Sequence, residues 1–329
     1  MISAVIVNHK TSGFLAPLVR SLRAEGVEEI VVCDSYSTAE ERKAVGSLEG
    51  VRTILFDDNP GYGGSLNRGA REARGEHLLL MNADLEAAPG SVGLLKEALS
   101  TFDAAGPNFF WERGKSFLLP HPFRHSWKNE LLQITRPDLF RRKYLAHEWM
   151  IWQGRDPCSV DLLSGAAFMV RRKSFERLGG FDEGFFLYFE ENDFFHRLMD
   201  EGMTAAAVPK AHFIHFHVPM RASESDWFYQ ASKDYFEKKY FPSSYLHLRP
   251  GLKAPPVETP PSVPLPSSGI ELKGRRLLYS LFPHFIPAAW ILTESDSVNP
   301  QDVVGRLPLK TGYLALADGH DIVETYSID

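Results

Sequence analysis

Four short apolar runs, rich in β-branched residues and separated by stretches of helical periodicity, dominate the N-terminal part of the chain: Ala4 to Val7, Ile30 to Cys33, Val51 to Phe56 and His77 to Met81. Each is long enough for one buried strand and too short for a buried helix. Between the first two, Leu15, Leu18, Val19 and Leu22 recur at helical spacing before the stop at Gly26. A polar helix over Ala39 to Val45 follows the second. A glycine-rich loop, Asn59 to Gly64, leads from the third into a helix near Ser65 to Ala73. Short apolar strands alternating with helices predict an α/β fold with a parallel sheet covered on both faces. Ligands bind such sheets beyond the carboxyl ends of the strands. Asn8, Asp34 and Asn82-Ala83-Asp84 all stand at those ends.

The pattern loosens from Trp111 to Pro157, where prolines, aromatics and basic residues mix. That insertion reads either as a cover for a cleft or as a helical excursion. Order returns with a strand over Gly165 to Val170, a short helix over Ser174 to Leu178 and the Gly179-Gly180 break. A helix over Glu190 to Glu201, a strand over Ala205 to Val208 and an aromatic-rich helix over Trp227 to Tyr240 follow. Pro250 to Pro266 reads as a semi-rigid linker or an ordered tail. The remainder carries β-like pieces such as Tyr313 to Leu316 and a basic-apolar stretch, Lys273 to Leu278. That stretch is the one candidate for contact with a membrane surface, against the alternative of an ordinary packed segment.

The net charge of −6 excludes a general nucleic-acid binder, which carries a basic excess. Cys33 and Cys158 lie far apart and outside any zinc-ligand spacing, which reads as two reduced thiols. No signal-peptide pattern precedes Ile2, and no apolar run approaches the roughly 20 residues of a membrane-spanning helix. The expectation is a protein working in the cytoplasm, with peripheral attachment to the inner membrane face through the basic-apolar stretch as a further candidate.

Three constellations carry chemistry. Asp84, directly after a strand, suits a Mg²⁺ or Mn²⁺ ion that neutralises a diphosphate, although Asn82 and Asp84 equally suit a turn and helix cap. The run from Phe181 to Asp193 places Glu190, Glu191 and Asp193 at the start of a helix behind aromatic residues. A carboxylate near apolar rings has its pKa nudged upward and serves as a general base. The same acidic residues also suit a first helical turn, and Asp193 stands at ion-pair spacing from Arg197. In the histidine group His212, His215 and His217, the last two would share one face of a strand, and one of them could complete a metal shell. The glycine-rich run through Gly61 and Asn67 fails the dinucleotide pattern, because Leu66 stands where the third glycine belongs and the loop follows the third strand. It reads as a loop that lets backbone approach a nucleotide or sugar.

Taken in order, these pieces resemble the family 2 glycosyltransferases of GT-A fold, especially their bacterial rhamnosyltransferase-like branch. The matching segments are Val5-Ile6-Val7-Asn8, Asp34 with Ser35 and Ser37, Asn59 through Gly69, Leu80 through Asp84, Ser164 through Arg172, Gly179 through Arg197, and Val208 through Ala211 with His215. The resemblance implies a Rossmann-like mixed sheet covered by helices and an inverting transfer from a dTDP- or UDP-sugar, with rhamnose as first choice, to a polysaccharide or lipid-linked glycan. It implies that Asp34 holds the donor's base beside Val7 and Asn8, and that Asp84 and His215 bind the metal. Gly61, Asn67 and Asn82 would belong to the nucleotide-sugar site, Gly165 and Ala166 would line the sugar and acceptor site, and Glu191 would be the base. The chain departs from the family's usual Glu-Asp pair with Glu190-Glu191, which leaves the choice between the two open. The expected organisation is a catalytic domain over 1–245, a linker over 246–268 and a small C-terminal region over 269–329. A nucleotidyltransferase is a weaker alternative, since Lys10 is the only basic residue in the segment directly after the first strand, where an arginine-lined phosphate loop would be wanted; a binding module without catalysis is another. The sequence fixes no oligomeric state.

Overall fold

The structure, a computed structural model, describes residues 1–216, 222–253, 261–266, 268–282, 286–307 and 311–328, without the side chains of 222–225. His217 and part of the proline-rich stretch lie outside the described residues. The chain divides into two compact units. One comprises Met1–Asn108, Pro122–Arg124 and Gln153–Phe241; the other comprises Phe109–His121, His125–Trp152 and Pro242–Asp329. Both are discontinuous, whereas the expected divisions followed the chain.

In the first unit, strands β1 (Ile2–Asn8), β2 (Glu29–Ser35), β3 (Arg52–Phe56) and β4 (His77–Asn82) form a parallel array in the order β3-β2-β1-β4. Helices α1 (Ser12–Ala24), α2 (Ala39–Gly46) and α3 (Gly61–Glu72) are the connections. Leu15, Leu18 and Leu22 of α1 are buried as their spacing predicts. The strand Ala167–Arg171 then pairs antiparallel to β4, from His77↔Arg171 to Met81↔Ala167. The strand Ala104–Phe110 joins beyond it through Ala104↔Val170. The sheet is therefore mixed, as the family resemblance implies, whereas the periodicity of the first four strands points only to its parallel part. A run such as Ala167–Arg171, buried on both faces, carries no signal of direction.

The strand expected to end at Val208 continues to His215. Its far end pairs antiparallel with Leu85–Ala87, and its near end with Cys158–Val160. Helix α3 begins at Gly61, four residues before the expected start, so the glycines lie in its first turns.

In the second unit the insertion forms two helices, Trp127–Thr135 and Pro137–Trp152. The strands Arg276–Ser280, Ala289–Ile291, Gly312–Asp318 and Asp321–Ile328 form an antiparallel sheet. Val263–Pro264 adds an edge to it beside Tyr326 and Ser327. The basic-apolar stretch is part of this sheet, with Leu277 and Leu278 in the core. Its leucines face protein, which removes the motive for a membrane-contacting face there. Among the described residues no helix is long and apolar enough to cross a membrane.

Candidate active site

The register of the sheet brings the polar strand ends together. Asn8 lies opposite Asp34, and Val7 opposite Asn82. Asn8 Nδ2 donates to Asp34 Oδ1 at 2.6 Å, and Asn8 Oδ1 accepts from the Thr11 hydroxyl at 2.9 Å. Both residues are fully buried, yet Asp34 Oδ2 accepts no hydrogen bond, with Arg42 Nε 3.9 Å away. A buried carboxylate oxygen left in that condition costs free energy unless a donor reaches it, so Asp34 is well suited to take an N–H from a ligand.

Asp84 follows β4 and sits just ahead of Leu85, which pairs with His215 on the long antiparallel strand. That pairing sets His215 Nε2 3.5 Å from Asp84 Oδ2, with both side chains 12% exposed. Phe216 N donates to the Asp84 carbonyl at 3.0 Å and fixes the approach. Among the described residues no group of three or more His, Cys, Asp or Glu side chains is arranged around a metal. Asp84 and His215 are thus a two-donor set, one hard oxygen and one imidazole, which fits a divalent ion that takes its remaining ligands from water and phosphate. His212 turns elsewhere, with Nε2 3.0 Å from the Pro209 carbonyl.

The helix Glu190–Asp200 begins after two consecutive aromatic residues in left-handed backbone, Tyr188 (φ 68°) and Phe189 (φ 66°). Each such residue costs about 1–3 kcal/mol and persists only where its surroundings impose it. Here Ser232 Oγ donates to the Leu187 carbonyl at 2.8 Å, Tyr62 N donates to the Phe186 carbonyl at 2.9 Å, and the Phe189 ring packs 5.5 Å from Phe236.

This turn delivers the acidic pair. Glu190 is buried, and its Oε2 has no hydrogen-bond partner. Burial first, and the charge of Glu191 second, push its carboxyl well above the usual carboxylate range. The Glu191 side chain lies against Gly165: a Cβ on that glycine would stand 3.5 Å from Glu191 Cβ, Cγ and Cδ. Its pKa is also raised by burial, opposed by hydrogen bonds from the main chain and from Asn192 Nδ2, which donates at 3.2 Å. Two adjacent carboxyls in a desolvated site do not both ionise readily. Glu190, the deeper of the two, is held further above the usual carboxylate range and is the harder to ionise, while Glu191 lies partly exposed beside Gly165.

Asp193 has a different environment. Its carboxylate is completely enclosed, with Oδ2 2.8 Å from Arg197 Nε, and Oδ1 2.6 Å from both Lys239 Nζ and the Tyr240 hydroxyl. Both oxygens are engaged in tying this helix to the helix Ala222–Tyr240. Asn67 is similarly occupied. Its Oδ1 accepts from Phe181 N at 2.8 Å, and its Nδ2 donates to the Phe181 carbonyl at 2.9 Å and to Glu183 Oε1 at 3.0 Å.

The glycines of α3 also meet protein. A Cβ on Gly61 (φ 75°) would lie 2.2 Å from the Phe186 carbonyl oxygen, and one on Gly63 2.9 Å from Phe181 Cβ. One on Gly69 would lie 2.4 Å from Val5 Cγ1. The run that suggested backbone close to a ligand lets α3 approach the sheet on one side and the 181–186 segment on the other.

Tyr62, which sequence reasoning missed, lies near Glu190, Glu191 and Asp84. Its hydroxyl donates to the Gly165 carbonyl at 2.5 Å. Burial, then the charges of Glu190, Glu191 and Asp84, raise its phenol well above the ordinary value. Nearby, Asn82 N donates to the Ala166 carbonyl at 2.9 Å, which joins the 164–166 turn to the end of β4. The only sequence signal for Tyr62 is an aromatic ring inside a glycine-rich run.

The sequence model of Glycosyl transferase family 2 matches residues 3–179, more than half of the chain. A second model, described as the N-terminal domain of galactosyltransferase, matches residues 157–219. Among curated proteins, the chain is similar to the N-acetylglucosaminyl-diphospho-decaprenol L-rhamnosyltransferase of Mycobacterium tuberculosis, 28% identical over 217 residues, covering 61% of this chain and 70% of that protein. It is 27% identical over 251 residues to a low-salt glycan biosynthesis hexosyltransferase of Haloferax volcanii, covering 74% and 76%. A 57-residue stretch is 40% identical to the rhamnosyltransferase WbbL of Escherichia coli, 17% of this chain and 22% of that one. Among solved structures, GalNAc-T7 with UDP, GalNAc and Mn²⁺ shares the fold with a TM-score of 0.50 at 17% identity, covering 65% of this chain and 43% of that one. With a mixed sheet of GT-A type and polar strand ends gathered at one site, the chain belongs to glycosyl transferase family 2, as a glycosyltransferase of rhamnosyltransferase-like sequence.

Proposed function

We propose that this protein is an inverting, metal-dependent glycosyltransferase that moves a hexose, with rhamnose as first choice, from a dTDP- or UDP-sugar to a hydroxyl of a lipid-linked or polysaccharide glycan. The observation that carries the reading is the setting of Glu191, a partly exposed carboxylate held over Gly165 beside a buried Glu190 whose carboxyl is pushed well above the usual range by burial. Glu191 accepts the proton of the acceptor hydroxyl as that oxygen bonds to the sugar's anomeric carbon. The bond from that carbon to the nucleoside diphosphate breaks, and one displacement inverts the centre.

Asp34, with its unsatisfied oxygen, takes an N–H of the pyrimidine, beside Val7 and Asn8. Asp84 and His215 would hold Mg²⁺ or Mn²⁺, which supplies positive charge for the leaving diphosphate. Gly165 and Ala166 leave room for the sugar beneath the base. The roles proposed for Asn67, Gly61 and Asp193 are structural: they fix α3 and the base-bearing helix. The relative named as an N-acetylglucosaminyl-diphospho-decaprenol L-rhamnosyltransferase supports a lipid-linked acceptor, and the one named for low-salt glycan biosynthesis supports a glycan product.

The test pairs binding with turnover. Calorimetric titration with UDP and dTDP is expected to show Mn²⁺-dependent binding that Asp84→Ala abolishes. Glu191→Gln is expected to keep nucleotide binding and to lose about 10²- to 10⁴-fold in transfer rate, the range of a general base. Full transfer by Glu191→Gln would remove the base assignment.

A further inference from the structure

The helix Ala222–Tyr240 leaves an unusual amount of aromatic surface uncovered: Trp227 is 66% exposed, Tyr229 43% and Tyr235 40%. Tyr229 is the one tied to the acidic turn. Its ring centroid lies 5.9 Å from Tyr188 at an interplanar angle of 65°, and 5.3 Å from Phe189. Phe189 immediately precedes Glu190 and Glu191, and both aromatic partners occupy the strained left-handed positions. Tyr188 and Tyr229 thus meet edge to face and make a two-ring wall at the turn that leads into the acidic pair. Burial raises the Tyr229 phenol, the Lys233 charge opposes the shift, and the Glu237 and Glu191 charges add to it.

Packing alone does not require this arrangement. A tyrosine used only to fill the core is covered, and Phe236, on the same helix, is 1% exposed. Tyr229 is anchored along one edge and open elsewhere. Rigid aromatic groups with an apolar body and a polar tip are suited to recognition, because little conformational freedom is lost on contact. The matching ligand is a ring with an apolar face and a hydroxylated rim. A pyranose has both: its axial C–H bonds form the face, and its hydroxyls radiate from the edge toward the carboxylate.

We propose that Tyr229 and Tyr188 form the acceptor subsite, on which a pyranose of the acceptor packs one C–H face while presenting a hydroxyl to Glu191. This rests on the transferase reading and adds that the acceptor group at the site is itself a neutral sugar ring, gripped by the helix that follows the family-matched region. Trp227 stands two residues earlier, with its contact to Phe228 at 5.0 Å, and is outside this wall.

The test uses the full chain and methyl pyranosides of the gluco, N-acetylgluco and rhamno series, read by saturation-transfer NMR with and without UDP and Mn²⁺. The expected result is transfer to the ring C–H protons of at least one pyranoside. Binding is expected to weaken at least tenfold in Tyr229→Ala, to survive in Tyr229→Phe and to stay unchanged in Trp227→Ala. Circular dichroism and calorimetric nucleotide titration of each variant verify the fold. Equal pyranoside binding by wild type and Tyr229→Ala overturns the subsite, as does an absence of pyranoside binding in both nucleotide states. Those results leave the transferase reading standing if UDP or dTDP still binds with Mn²⁺. Failure of every nucleotide to bind removes the transferase reading on separate evidence.

Discussion

Replacing Asn67 with alanine removes three hydrogen bonds from one side chain. The Glu183 partner is exposed and finds water, so that loss is small. The two bonds to Phe181 are different, because Phe181 is 3% exposed and both its N–H and its carbonyl lose their partner. A buried polar group without a partner costs about 1–3 kcal/mol. Some relief by water leaves an expected local cost of about 3 kcal/mol for the pair. Every 1.4 kcal/mol is a factor of ten, so the Phe181 amide should exchange with solvent about a hundredfold faster. Hydrogen exchange resolved at residues 178–186 reads this without requiring the two units to unfold together. The transfer rate should fall in parallel, because Phe181 leads into the segment that carries Glu190 and Glu191. A rise in Phe181 exchange of less than about fivefold, with the rest of the chain unchanged, would refute the reasoning that Asn67 is a strut.

Two other perturbations test the acidic turn. Glu190 has a raised pKa in the folded protein, so the folded state holds a proton that the unfolded state releases above the ordinary value of 4.5. Its stabilising contribution is full below that value and is lost as pH rises through the folded pKa. Glu190→Gln should therefore gain in melting temperature relative to wild type as pH is raised from 4.5, and a difference that is flat with pH would contradict this. The acidic limb of kcat/KM should lie above the ordinary carboxylate range, with activity gained as pH rises, because Glu191 must lose its proton to act. Asp193→Ala strips one partner from an enclosed charge cluster and should cost about 3–5 kcal/mol in chemical denaturation, with nucleotide affinity of the folded protein unchanged.

Much of the first unit was legible because strand ends are marked by a change from apolar to polar residues, as at Val7-Asn8, Cys33-Asp34 and Met81-Asn82. The direction of Ala167–Arg171 was not legible, since a strand buried on both faces looks the same read either way. The glycines of α3 announced close approach but not the object approached: Phe186 and Val5 are remote in sequence. Asp193 and Glu191 look alike in a run of acidic residues. They separate only when Lys239 and Tyr240, about fifty positions on, are seen to enclose one and not the other. The second unit was obscure because it gathers three separate stretches, and the strands of the last, such as Ala289–Ile291, are short and give little alternation to read.

The clamped turn at Tyr188 and Phe189 has a consequence for where the catalytic unit stops. The family models match through residues 179 and 219, yet two of the three groups that hold the turn in shape, Ser232 and Phe236, lie beyond both limits, and only Tyr62 lies within. A chain cut after the matched region would keep Glu191 and every strand end but lose the clamp. The turn would then relax to ordinary backbone and carry the carboxylate away from Gly165. A fragment that keeps this turn as it stands therefore runs at least through Phe236, beyond both boundaries that sequence similarity draws.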